Sequence, residues 1–87
     1  MIVIGEKLPE EIISLIKNSS TPEERRTICN KHNLSIDLIN ALLRKDRNVT
    51  SESVKVVSDV IIKCKTNINS NLKLLKKYEQ NGIKAIL

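Results

Sequence analysis

Asn40, Arg44, Arg47 and Asn48 are the side chains with which this 87-residue chain can do recognition chemistry. A carboxamide at Asn40 can pair donor and acceptor with an adenine edge, and the guanidinium of Arg44 can grip guanine or a phosphate. Ile36 suits a thymine methyl, while Asp37 either accepts from cytosine N4 or caps its own helix. Lys45, Arg47 and Asn48 suit backbone phosphates, contacts that fix register without reading sequence. Thr21, with the first amides of the helix it opens, offers another phosphate cap. Covalent chemistry is a poorer match. His32 is the one histidine and Gly5 and Gly82 are the only glycines, so a Gly-rich phosphate loop is absent. Without a paired-carboxylate motif, an activated nucleophile or a metal cluster, the expectation is no enzyme, no cofactor and no metal site. Cys29 and Cys64 stand 35 positions apart with no partner at ligand spacing, and both read as buried free thiols.

Base-edge contacts need a rigid element to deliver them, and residues 28–50 have the pattern of a helix-turn-helix. Two short helices crossing steeply require a small residue where they approach, which Cys29 supplies. The chain must then reverse within about three residues, a geometry that usually needs one positive φ, easiest for Gly and next for Asn. Asn33 sits at that point. Leu34 follows as the apolar plug, Ser35 as the N-cap of the second helix, and Ile39 and Leu42 face inward, with Ile28 completing the inner face of the first helix. The outer face of the second helix is then Ser35, Ile36, Asp37, Asn40, Ala41 and Arg44.

Leu34-Ser35, Ile39, Leu42 and Arg47-Asn48-Val49-Thr50-Ser51-Glu52-Ser53 together resemble the DNA-binding headpiece of lactose-repressor (LacI) family regulators. In that family a valine-serine start to the recognition helix is followed, at the same spacing, by an asparagine-valine-serine loop and a helix-opening Glu-Thr. Thr50 and Ser53 are conservative substitutes here. Cro and lambda-repressor type regulators share the core pattern. The resemblance spans Thr21 to Lys65 and implies a DNA-binding helical domain. It does not extend to the family's large sugar-binding domain, so an effector-sensing repressor of that kind is not expected. The chain departs from the family at Ile36, Asp37 and Ala41, where long hydrogen-bonding side chains are usual.

Charge distribution points the same way. Five basic and six acidic residues lie between Met1 and Asp37, ten basic and four acidic from Leu38 onward, for a net charge of +5. A basic half beginning inside the proposed recognition helix suits a polyanion, because each Lys or Arg over a phosphate releases condensed counterions. Tyr78 is the only aromatic residue. Stacking platforms for single strands are therefore lacking. No apolar run approaches a membrane span, and Met1-Ile2-Val3-Ile4-Gly5 is too short for a signal segment. A cytoplasmic protein with no membrane association is expected.

The remaining elements build an all-α bundle of four to five helices. Pro9 opens a first helix to Asn18 with Ile12, Ile13, Leu15 and Ile16 inward, and Glu10 and Glu11 at its positive end. Thr21-Pro22-Glu23-Glu24 reads as a capping box for a second helix ending near His32. A third runs from Ser35 to Lys45. Thr50 or Ser51 caps a fourth, whose Val54, Val57, Ile61, Cys64 and Ile68 mark one apolar seam. Val56 and Val60 form a second edge. Thr66–Asn71 is rich in poor helix formers, so a break is expected there, with a single helix from Glu52 to Gln80 as the alternative. A C-terminal helix over residues 69–81, ending at Asn81-Gly82, then supplies a dimerisation surface with Val56, Val60, Leu72, Leu75 and Tyr78. Ile2–Ile4 and Ile83–Leu87 are candidates for short β-pairing.

These features describe one domain over residues 1–87 with its helix-turn-helix in 21–65. The expected function is a repressor-like transcriptional regulator that binds duplex DNA as a homodimer on a palindromic operator. A protein-binding module on the same scaffold, such as an antitoxin, an antirepressor or an anti-defence inhibitor, is the alternative, favoured by Asp37 on the outer face and the spare apolar edges. Salt-sensitive retention of duplex DNA separates the two.

Overall fold

Three of the four helices begin where a side chain answers a free amide. The computed structural model describes residues 2–81, with side chains to residue 77, and it holds four helices: α1 (Glu10–Ser19), α2 (Pro22–Lys31), α3 (Ile36–Leu43) and α4 (Ser51–Asn81). Thr21 caps α2 through the expected box: its hydroxyl accepts from the Glu24 amide at 3.1 Å, and its own amide donates to the Glu24 carboxylate at 2.9 Å. Ser35 caps α3 by accepting from the Asp37 amide. Thr50, of the two candidates, caps α4, with Ser53 taking the return role: the Ser53 amide donates to the Thr50 hydroxyl at 3.1 Å and the Thr50 amide to Ser53 Oγ at 2.8 Å. Pro9 is the N-cap of α1 in extended conformation rather than its first helical residue.

α1, α2 and α3 pack on the first half of α4. Leu8, Ile16, Cys29, Ile39, Leu42, Val49, Val57 and Cys64 are all almost wholly excluded from solvent there, an aliphatic core with no ring in it. Val56 and Val60, expected on an intersubunit edge, are fully buried in this same core. The short α1 and α2 each cover a different flank of α4, so the helix is enclosed on both apolar edges by its own chain. That correction leaves Leu72 and Leu75, about half exposed, as the available part of the expected dimer surface. The side chain of Tyr78 lies outside the described residues.

The expected break at Thr66–Asn71 does not occur, and α4 is continuous over 31 residues. Thr, Asn and Ser each cost a helix roughly 0.5 kcal/mol relative to Ala, so the five such residues in this stretch need an outside partner. They have one at the α1–α2 corner. Asn67 Nδ2 donates to the Ser19 carbonyl at 2.9 Å and also to the Glu24 carboxylate, while Thr66 Oγ1 bonds back to the Ile62 carbonyl. Tertiary hydrogen bonding outweighs local propensity here.

The same corner explains Arg25, a charged residue only 9% exposed. Its guanidinium donates to the Ile16 carbonyl at 3.2 Å, next to the Ser20 hydroxyl that donates to the same oxygen. Ile16 O is among the last carbonyls of α1, where a helix lacks internal donors and carries partial negative charge. Arg25 therefore caps α1 from α2, although its Nε has no partner.

No strand forms among the described residues. The Ile2–Ile4 segment instead leads into a turn closed by the Glu6 amide on the Val3 carbonyl, with Gly5 at φ +94°. Gly5 N then donates to Val49 O at 2.7 Å and Val49 N to Glu6 O at 2.8 Å, tying the N-terminus to the α3–α4 loop. The proposed partner strand, Ile83–Leu87, lies outside the described residues.

Candidate nucleic-acid interface

The joint between α2 and α3 is built on a left-handed residue. Asn33 has φ +57°, at the position where the sequence calls for one. The Leu34 amide donates to the Cys29 carbonyl at 2.9 Å and the Asn33 amide to the Asn30 carbonyl at 3.0 Å. This pair of bonds is a Schellman closure, which stops α2 and turns the chain in the fewest residues. Cys29 is fully buried at the joint, Ile39 and Leu42 are buried beneath α3, and Ile28 and Leu34 pack against the core from its margin. Burial in this apolar setting pushes the thiols of both Cys29 and Cys64 up from their ordinary value, so both stay protonated and unreactive at neutral pH.

α3 ends in a second closure of the same type. Lys45, at φ +63°, donates its amide to Leu42 O at 3.1 Å, and the Asp46 amide donates to Ala41 O at 2.9 Å. A left-handed conformation suits Asn and costs Lys more, since a longer side chain has no short polar group to bond locally. The short helix is thus bracketed by two left-handed residues that fix its length at Ile36–Leu43.

The outer face of α3 is narrower than the sequence suggests. Ser35 and Asp37 are exposed and Asn40 is half-buried, whereas Ile36 packs against the core and Ala41 is buried. α3 presents a polar tip and one polar edge, and Ile36 is turned to the body of the protein. Asp37 sits in the first turn of α3, where a carboxylate complements the positive helix end.

Electrostatics divide the basic residues into paired and unpaired. Arg44 Nε donates to Asp46 Oδ2 at 2.9 Å. Lys45 reaches the Glu10 carboxylate at the start of α1. The hydrogen bond and charge of Lys45 hold the Glu10 carboxyl below its ordinary value. Arg47 and Asn48 are exposed, and Arg47 makes no ion pair among the described residues. Thr21 is committed to Glu24, whose carboxyl is lowered first by the Thr21 amide and then by Asn67 and Lys63. With Glu23 beside it, the α2 N-terminus is already served by carboxylates, an unfavourable seat for a phosphate.

The structure therefore brings Ser35, Asp37, Asn40, Arg44, Arg47 and Asn48 to the α3 tip, edge and following loop, and places Thr21 apart in its own cap. Three contacts escaped the sequence reading. His32 Nε2 and Asp59 Oδ2 lie 2.6 Å apart, joining the end of α2 to α4. Glu10–Lys45 and Asn67–Ser19 are the others, and all join residues far apart in sequence. Asn67 alone left a signal, since it continues the Ser53, Val56, Val60, Cys64 face at helical spacing. No described helix is long and apolar enough to cross a membrane. Comparison with protein-family models, with curated proteins and with solved structures finds no match to this chain.

Proposed function

We propose that the protein binds double-stranded DNA as a small repressor-like regulator, presenting α3 to the major groove N-terminus first. The observation that carries this reading is the α2–α3 joint: a Schellman closure on Asn33, a buried Cys29 beneath it, and a Ser35 cap that leaves the start of α3 exposed. Helices delivered in this manner reach base edges with the side chains of their first turns. Asn40 and Arg44 are the base-reading residues, with Ser35 and Asp37 at the tip. Arg47, Asn48 and Lys45 hold phosphates. The net charge of +5 supports association with a polyanion.

On a palindromic operator two copies occupy half-sites about one helical turn, ~34 Å, apart. Since Val56 and Val60 belong to the core of a single chain, pairing of copies falls to surfaces other than the first half of α4.

Retention of a random duplex library at near-physiological salt tests the reading. An enriched inverted repeat establishes a regulator acting as a pair of copies, and a single short enriched site a regulator acting alone. Absence of enrichment, with weak retention that disappears as salt rises, overturns specific DNA recognition.

A further inference from the structure

α4 outruns the elements that cover it. α1 ends at Ser19, which meets α4 at Asn67, yet α4 continues to Asn81. The ten residues from Ile68 to Lys77 alone rise about 15 Å beyond that contact. The apolar stripe of α4 goes on past the end of α1: Ile61 rests on the core, then Ile68 is 37% exposed, Leu72 51% and Leu75 53%. Clustered apolar side chains of this kind, rimmed by charge, mark an interaction site rather than ordinary surface.

The rim has one sign. From Val60 to Lys77 the chain has five lysines and no Asp or Glu. Lys63 pairs with Glu24 at 3.5 Å, and Lys65, Lys73, Lys76 and Lys77 make no ion pair among the described residues. At 3.6 residues per turn, Lys65 and Lys76 fall along one edge of the Ile68–Leu72–Leu75 stripe and Lys73 behind them. Lys73 also precedes Lys76 and Lys77 by three and four residues, spacings at which like charges destabilise a helix. No acid between Val60 and Lys77 relieves these repulsions.

Charge selects the occupant. A second copy would bring these lysine edges together, with no acid between Val60 and Lys77 to answer them. DNA phosphates would answer the lysines and leave the leucines in water. A helix with Leu or Ile at spacings of three and four, bordered by Glu or Asp, satisfies both requirements. We propose that the projecting end of α4, Ile68–Lys77, docks an acidic amphipathic helix of another protein. This surface is separate from α3, and the inference does not rest on the DNA-binding reading.

The test is selection of a displayed random 16-residue peptide library on the full chain, with Leu72→Ser/Leu75→Ser as the counter-selecting bait. Expected winners carry net negative charge and aliphatic residues at i, i+3 or i+4, and i+7. A synthesised winner should bind at least tenfold more weakly to Lys73→Glu/Lys76→Glu, and more weakly as salt rises. If the serine variant loses helicity, the charge-reversed variant, which keeps every leucine, supplies the comparison. Winners without acidic bias, or no enrichment, overturn the proposal. So does a dimer in sedimentation that Leu72→Ser/Leu75→Ser abolishes, which would make a second copy the occupant. Tighter binding to vesicles of one-quarter phosphatidylglycerol than to any selected peptide would make it a lipid surface. Duplex-DNA retention, measured on the charge-neutral Leu72→Ser/Leu75→Ser variant, should not change, so failure of either reading leaves the other standing.

Discussion

Asn67 donates to the carbonyl of Ser19 at 2.9 Å across 48 positions of sequence. This amide serves the last carbonyl of α1 and carries α4 through its weakest stretch, because the orphan carbonyl of one helix is satisfied by the side chain that would otherwise interrupt the other.

Replacing Asn67 by Ala should therefore destabilise the fold, by about 1 kcal/mol, even though Ala is the better helix former. The exposed neighbour Asn69 is the control: Asn69→Ala should stabilise by about 0.5 kcal/mol. Urea midpoints give the sign of each effect. Amide hydrogen exchange over residues 68–77 should accelerate in the first variant and slow in the second.

Lys45 is a long side chain held at φ +63°. Lys45→Gly and Lys45→Ala both remove the exposed pair with Glu10, and they differ in the tolerance of a left-handed backbone. The glycine variant should be the more stable of the two by about 1 kcal/mol in chemical denaturation. Equal stability would mean that the second closure exacts no conformational cost.

Glu24 titrates below its ordinary 4.5 because the Thr21 amide, Asn67 and Lys63 favour its charged form. A carboxyl depressed in the folded state contributes stability that is fully present above its unfolded value and is lost as pH falls through the folded value. Glu24→Gln keeps an acceptor for Thr21 without the charge. The two proteins should differ most in urea midpoint near pH 7 and converge toward pH 3.

Under the DNA-binding reading, Arg47→Ala should lower affinity for all sequences alike and reduce the salt slope by about 1, as expected for one lost phosphate contact. Asp46→Ala should do the opposite. Removing the carboxylate 2.9 Å from Arg44 frees that guanidinium, and affinity should rise at low salt. Titration of duplex DNA at several salt concentrations measures both. If neither substitution moves affinity or slope, the loop after α3 is not a contact surface.

What the sequence by itself determined was local: the capping box at Thr21 and Glu24, the left-handed turn at Asn33, the cap at Ser35 and the all-helical character of the chain. Each depends on residues within one turn of one another, where side-chain chemistry and φ preference act without help from the rest of the fold. The tertiary structure decided everything that required two distant segments to meet. It drew Val56 and Val60 into the core, because α1 and α2 each cover a flank of α4, and it kept α4 whole through Asn67. It paired Lys45 with Glu10, across 35 positions of sequence. Periodicity tells which side of a helix is apolar. Only packing tells whether that side is covered by its own chain or, as beyond Ile68, left for another.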